Sequence, residues 1–96
     1  MAEAEVKLIK WGLIFFNSDA TIKYSSAWLQ VSDRLGAEQF SCKADELKKV
    51  NFNSINGMFT LKSYAGRKCN IVFLNDSDVN AFREYLKSIR VGGLTV

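Results

Sequence analysis

The stretch MFTLKSYAGRKCNIVFLNDSDVNAFREYLKSIR, residues 58–90, decides the fold, because two different apolar periods follow each other within it. In Met58–Tyr64 and Lys68–Leu74, apolar side chains alternate with polar ones, which is the period of a half-buried β-strand. The glycine-containing turn Ala65–Arg67 joins the two segments, so they are predicted to form a β-hairpin. The apolar residues that share a face within their own strand are Phe59 and Leu61, then Cys69, Ile71 and Phe73.

After this hairpin the apolar period changes to that of a helix. Apolar residues recur three and four positions apart, at Val79, Phe82, Tyr85, Leu86 and Ile89. Asp76, Ser77 or Asp78 can supply the N-cap, and the pair Gly92-Gly93 can stop the helix. The sequence therefore predicts one amphipathic C-terminal helix, whose apolar face covers the apolar face of a sheet.

Shorter segments of the alternating kind precede the hairpin, and turn residues separate them about every ten positions. The strands predicted here are Glu5–Ile9, Leu13–Phe16, Ala20–Tyr24, Trp28–Val31, Gln39–Lys43 and a segment around Val50 and Phe52. A turn or bulge is predicted at Trp11-Gly12, turns over Asn17–Asp19 and Ala44–Lys49, and a frayed tail over Leu94–Val96. The predicted fold class is α+β, mostly β: a curled antiparallel sheet or barrel of six to seven strands, capped by one C-terminal helix.

The length and composition of the chain fit one small globular domain over residues 1–96, with an ordered core over about residues 5–91. The chain has 96 residues, of which 48% are hydrophobic and 24% charged. The longest apolar run, Leu13 to Phe16, is far shorter than a membrane span, and the acidic N-terminus lacks the basic and apolar regions of a signal peptide. We therefore expect a soluble, intracellular protein in the cytoplasm or the nucleus.

The absence of histidine excludes several kinds of catalysis. No imidazole can serve a Ser/His/Asp or Cys/His site, and two cysteines without histidine cannot complete a structural zinc site. Asp76 and Asp78 fit a helix cap and Asp45-Glu46 a turn, so no spacing indicates a catalytic carboxylate pair. The sequence predicts neither an enzyme nor a cofactor, and it indicates that Cys42 and Cys69 are buried reduced thiols.

The second half of the chain resembles the pleckstrin-homology-like superfamily. The run DELKKVNF, Asp45–Phe52, matches an acidic, x, aliphatic, x, x, Val, x, Phe strand of that family, and the hairpin and the C-terminal helix follow it. Gly12–Phe15 before Asn17 is similar to the second strand in PH-like modules of FACT-type histone chaperones, and the N-terminal PH-like domains of some ubiquitin-specific proteases show a comparable layout. The resemblance covers about residues 6–91 and implies a non-catalytic interaction domain.

The final helix departs from the family pattern. It carries Phe82 and Tyr85 where PH-like domains usually have a tryptophan. This departure favours the divergent protein-binding branches over the lipid-binding branch.

An aromatic surface is the first candidate partner site. Phe15 and Phe16 are adjacent, so on a strand they point to opposite faces, and Trp11 or Trp28 can extend the exposed side. Exposed aromatic patches mark interfaces with other proteins. We expect recognition of another protein through this patch or through an exposed strand edge, and a homodimer that buries the second face stays open.

Polyanion binding is the alternative, with a phosphoinositide headgroup or a single-stranded nucleic acid as ligand. The net charge of +3 is mild for a dedicated nucleic-acid-binding protein. The basic residues that would serve this function are Lys7, Lys10, Lys23, Lys62, Arg67 and Lys68.

Overall fold

The described part of the chain folds into one curled, mostly antiparallel sheet with one α-helix packed on it. The computed structural model describes residues 2–10, 16–89 and 93–95. The strands are β1 Ala2–Lys10, β2 Phe16–Tyr24, β3 Trp28–Asp33, β4 Glu38–Lys43, β5 Leu47–Asn53, β6 Met58–Ser63, β7 Lys68–Phe73 and β8 Gly93–Thr95. A 3₁₀ turn, Ala44–Glu46, connects β4 to β5, and helix α1 spans Asp76–Ser88.

The strands follow the order β4-β3-β2-β1-β7-β6-β5-β8 across the sheet. The first seven strands pair with antiparallel neighbours and curl into a half-barrel, which leaves a side open between β4 and β5. Gly66 in the β6–β7 turn has φ 87°, a left-handed conformation that glycine adopts without steric cost. The predicted fold class and the predicted β6–β7 hairpin are confirmed.

Because side chains alternate between the two faces of a strand, every second side chain along the strands points into a shared core. β2, β3 and β4 contribute Ile22, Leu29, Val31 and Phe40, each with 0% of its surface exposed. β5, β6 and β7 contribute Val50, Phe59, Leu61 and Ile71, which are equally buried. Each such side chain stabilises the fold by roughly 1.5–3 kcal/mol relative to an exposed position.

Helix α1 closes this core through Phe82. Its ring lies 5.2 Å from Tyr24 of β2, 5.1 Å from Phe59 of β6 and 5.2 Å from Phe73 of β7, measured between ring centroids. The Tyr85 hydroxyl donates a hydrogen bond of 2.8 Å to the carbonyl oxygen of Ser25. The helix therefore joins strands from both halves of the curled sheet.

The turn predicted over Asn17–Asp19 is wrong, because β2 runs without a break from Phe16 to Tyr24. All nine of its residues face β1 in register, from Ala2 opposite Tyr24 to Lys10 opposite Phe16. The ladder hydrogen bonds use the backbone, and the carboxylate of Asp19 forms an ion pair with Lys7 on β1, so the polar side chains do not break the strand. Residues 13–15 of the predicted strand Leu13–Phe16, and the turn at Trp11-Gly12, lie outside the described residues.

The ends of the chain also differ from the prediction. β1 begins at Ala2 rather than Glu5, and Gly93–Thr95 forms a parallel strand beside β5 instead of a frayed tail. The predicted N-cap residues Asp76, Ser77 and Asp78 lie inside the first turn of α1, so that prediction is wrong: Asn75 is the N-cap, and its carbonyl accepts a hydrogen bond from the Val79 amide at 3.2 Å. In the described part of the chain, no helix has the length and apolar character needed to span a membrane.

Replacing Phe82 with alanine should destabilise the domain more than any surface change on the same helix. The cavity left among Tyr24, Phe59 and Phe73 is expected to lower the free energy of unfolding by about 3–5 kcal/mol. Urea unfolding followed by circular dichroism measures the change. Glu84→Ala, an exposed change on α1, should stay within about 0.5 kcal/mol of the parent; a similar loss for both variants would refute the central role of Phe82.

Candidate functional site

Of the four aromatic residues predicted to bind a partner, Trp28 is the one whose side chain the structure describes. It lies on β3 with 37% of its surface exposed, directly opposite Lys43 on β4. Phe16 begins β2, while Trp11 and Phe15 lie outside the described residues. The predicted aromatic patch is therefore represented by Trp28, and the roles of the other three residues stay predictions.

Trp28 borders a concave region of about 470 Å³ on strands β3 and β4. We call this region the Trp28 surface; its members are Trp28, Leu29, Gln30, Glu38, Ser41, Cys42, Lys43 and Glu46. It combines one large exposed ring and a half-buried thiol with side chains of both charges. Such a mixture suits contact with another protein more than a purely ionic ligand.

Strand β4, which forms one edge of the sheet and part of the Trp28 surface, has contacts with other side chains at both of its ends. Arg67 from the β6–β7 turn reaches the carbonyl oxygen of Gln39 at 3.4 Å and the carboxylate of Glu38 at 3.6 Å. The Lys43 amide donates to Oε1 of Glu46 at 3.0 Å. Backbone groups alternate sides along a strand. Ser41 is therefore the residue of β4 whose backbone faces outward between the Arg67 contacts and the Glu46 contact. The exposed strand edge expected from the sequence is short here.

The opposite edge is occupied by the chain itself. β8 pairs in parallel with the middle of β5, with Gly93 opposite Lys49, Leu94 opposite Val50 and Thr95 opposite Asn51. Three of the seven residues of β5 are therefore already paired on their outer side.

The basic residues proposed for polyanion binding do not form a single site. Lys7 is committed to Asp19, and its hydrogen bond is the main cause that lowers the pKa of that carboxyl. Lys23 lies directly opposite Glu3 on β1. Lys7, Lys10 and Arg34 line a cavity of about 430 Å³ beside the β3–β4 turn. Arg34 was not among the predicted residues, because its nearness to Lys7 and Lys10 depends on how the strands pair.

A second group of lysines forms a row across the outer face of β5, β6 and β7. Lys49 lies directly opposite Lys62, and Lys62 lies directly opposite Lys68. We call Lys49, Lys62 and Lys68 the lysine row. Lys62 and Lys68 were predicted, but Arg67 turns away to Glu38. The sequence did not group Lys49 with them, because the irregularity between Leu47 and Lys49 sets its register, and only the folded sheet shows it.

The three strands that carry the lysine row contain no carboxylate. β5, β6 and β7 together contain four lysines and no aspartate or glutamate. Asn51 and Thr60 join the three lysines in lining a shallow depression of about 160 Å³. None of the three lysines forms an ion pair within the part of the chain that the structure describes.

The chemically reactive side chains are held in unreactive states. Burial, followed by the charge of Glu46, raises the pKa of Cys42 to about 11, and burial raises the pKa of Cys69 to about 12. Both thiols are therefore protonated at neutral pH and are poor nucleophiles. Over residues 2–10, 16–89 and 93–95, no three cysteine or carboxylate side chains are grouped as metal ligands.

A search against models of protein families and a search of curated proteins both found no match to this chain. A function is therefore inferred from the geometry of the surfaces themselves.

Replacing Lys62 with glutamine should make the domain more stable. The change removes both like-charge pairs of the lysine row, which should raise the free energy of unfolding by about 0.2–1 kcal/mol. Urea unfolding at low salt measures this, and the gain should shrink at about 0.5 M salt, where charges are screened. Lys23→Gln, which loses an attraction to Glu3, should bring no gain; equal effects of the two variants would contradict the repulsion.

Proposed function

We propose that this chain is a divergent pleckstrin-homology-like domain with a non-catalytic role in protein recognition, and that Trp28 anchors the partner. The strand order, the half-barrel and the C-terminal helix support the superfamily assignment, together with the resemblance of Asp45–Phe52 to a strand of that family. An intracellular location, cytoplasmic or nuclear, belongs to the same proposal.

The exposure of Trp28 is the observation that carries the proposal. Among the residues whose side chains the structure describes, the other exposed large apolar residues are more exposed than Trp28 but lie in turns and connections: Leu35, Ile55, Tyr64 and Leu74. Trp28 is different because it stands on a strand, beside a concave surface whose floor includes the fully buried Leu29. Tryptophan at such a position buries a large area on binding at a small cost in side-chain entropy.

The charges around Trp28 support a partner whose binding withstands salt. Lys43 stands opposite Trp28, while Glu38 and Glu46 carry the opposite charge on the same surface. These three charges sum to −1, and Arg67 pairs with Glu38 from outside the surface, so long-range attraction contributes little to binding. Burial of the indole ring then supplies most of the affinity, and burial of apolar surface does not depend on ionic screening.

The chemistry of the chain supports a non-catalytic role. It has no histidine, and both thiols are protonated at neutral pH. The Glu46 carboxylate accepts a bond from the Lys43 amide, and Asp33 caps the β3–β4 turn by accepting from the amides of Leu35 and Ala37. These groups stabilise the fold rather than form a site for acid–base catalysis.

Substitution of Trp28 should remove the partner without unfolding the domain. The tagged chain is used to capture proteins from a nuclease-treated, detergent-cleared lysate at about 0.15 M and about 0.5 M salt. A discrete partner should be retained at both salt concentrations by the parent. Trp28→Ala should weaken its binding about 30-fold or more, which is typical of an interface anchor.

Tyr64→Ala provides the matched control, because Tyr64 is an aromatic residue that is also exposed but lies at the β6–β7 turn. Its binding should equal that of the parent. Retention of the partner by Trp28→Ala, or equal losses in both variants, would refute the anchor. A partner that is lost from the parent at high salt would argue for recognition by charge.

A second candidate function is phosphate binding in the cavity beside the β3–β4 turn. Lys10 and Arg34 line this cavity, and the carboxylates nearest to them are already engaged. Asp19 pairs with Lys7, and Asp33 accepts from its own turn. Two cations are thereby left to face a ligand such as a phosphoinositide headgroup.

Vesicle binding tests the second candidate directly. Vesicles with phosphatidylinositol bisphosphate should sediment the parent but not a Lys10→Gln/Arg34→Gln variant, because the variant lacks both phosphate-facing cations. Lys23→Gln serves as the control, since Lys23 is an exposed lysine that does not line the cavity. Sedimentation that is equal with neutral vesicles, or unaffected by the double substitution, would exclude this function.

A further inference from the structure

We propose that the lysine row on the outer face of β5–β7 is a docking site for an acidic segment of a partner protein, with Lys62 at its centre. This site is separate from the Trp28 surface, which lies on β3 and β4. It does not depend on the anchor role of Trp28.

The arrangement of the three charges is the first argument. Neighbouring strands are about 4.8 Å apart, so the row places three ammonium groups across roughly 10 Å of one face. Lysines that stand directly opposite one another on paired strands repel. Lys62 belongs to two such pairs, one with Lys49 and one with Lys68. An acidic ligand converts both contacts into attraction, so the charge pattern is complementary to carboxylates spaced along a chain.

The composition around the row is the second argument. Carboxylates that would neutralise the lysines are absent from the sequence of all three strands. The next row of the same face consists of Asn51, Thr60 and Asn70, which lie directly opposite one another. The Thr60 hydroxyl donates to Oδ1 of Asn70 at 2.7 Å, which leaves the Asn70 amino group as a hydrogen-bond donor toward a ligand.

The same face argues for a protein rather than a nucleic acid or a membrane. The outward positions of β5–β7 hold lysine, asparagine, threonine, Met58 and Val72, and no aromatic side chain on which a base could stack. Three cations also match only a few phosphates, fewer than a duplex-binding face usually engages. Amide and hydroxyl groups beside the lysines suit the carboxylates and backbone of an acidic peptide.

Fluorescence anisotropy of a labelled oligoglutamate peptide, titrated with the full chain, tests the proposal. The parent should bind the peptide, and the affinity should fall steeply as salt rises. Lys62→Gln should weaken binding about threefold, in line with the loss of one exposed ion pair. The triple variant Lys49→Gln/Lys62→Gln/Lys68→Gln should lose binding altogether.

Three controls make the result decisive. Lys23→Gln carries the same change in net charge as Lys62→Gln but lies on β2, and it should bind like the parent. Trp28→Ala should also bind like the parent, so failure of this site and failure of the Trp28 anchor can be told apart. Oligoglutamine should not bind.

Several outcomes would overturn the proposal. Equal losses in Lys23→Gln and Lys62→Gln would show attraction to net charge without a site. Binding of oligoglutamine would show that carboxylates are not recognised. Tighter binding of single-stranded DNA or of phosphatidylserine vesicles, lost in the triple variant, would assign the row to a different ligand. Lys62→Gln should be at least as stable as the parent, so its weaker binding cannot be attributed to unfolding.

Discussion

The burial of Phe82 between the two halves of the curled sheet is the contact on which the rest of the structure depends. A half-barrel that stays open between β4 and β5 leaves part of its apolar inner face without a partner strand. The ring of Phe82 fills that space and touches Tyr24, Phe59 and Phe73, which belong to three different strands. Since the inner face of the sheet is buried against the helix, a partner can be bound only by the outer face and the edges of the sheet.

The outer surface offers two different kinds of attraction. Around Trp28, charges of both signs surround one large apolar ring, so the surface favours a ligand that buries it. Across β5–β7, cations stand in a row with neutral amides and a hydroxyl beside them. The first depends on burial and the second on charge. One partner protein with an apolar segment and an acidic segment could therefore engage both, and salt would weaken only the second contact.

Local sequence patterns predicted most of the fold. The features that they could not predict depend on the register between paired strands. The alternation in β6 and β7 and the spacing of Val79, Phe82 and Leu86 are properties of short windows, and the structure confirms them. The continuity of β2 depends on its pairing with β1, which no window of β2 contains. The polar run Asn17–Asp19 therefore indicated a turn that does not form.

The candidate sites show the same limit. Trp28 could be predicted as an interface residue because an aromatic residue in a short strand is visible in the sequence. The sequence did not group Lys49 with Lys62 and Lys68, because the irregularity between Leu47 and Lys49 determines which β5 lysine stands opposite Lys62. Likewise, Arg67 is close to Lys68 in sequence but reaches across the open side to β4. The adjacent residues Arg67 and Lys68 therefore belong to two different surfaces of the folded domain.

The reach of Arg67 across the open side also bears on how the domain behaves when it is crowded. Arg67 forms an ion pair with Glu38 and donates a hydrogen bond to the carbonyl oxygen of Gln39. The backbone amide of Tyr64 donates to the carbonyl oxygen of Glu46 at 2.9 Å. Arg67 thereby ties the β6–β7 turn to the N-terminal end of β4, and the Tyr64 amide joins the same turn to the segment that precedes β5. An open strand with unpaired backbone groups is a template for edge-to-edge aggregation or for exchange of strands between copies. The turn that closes the hairpin therefore also covers the N-terminal end of β4, the edge strand along which a second molecule would pair.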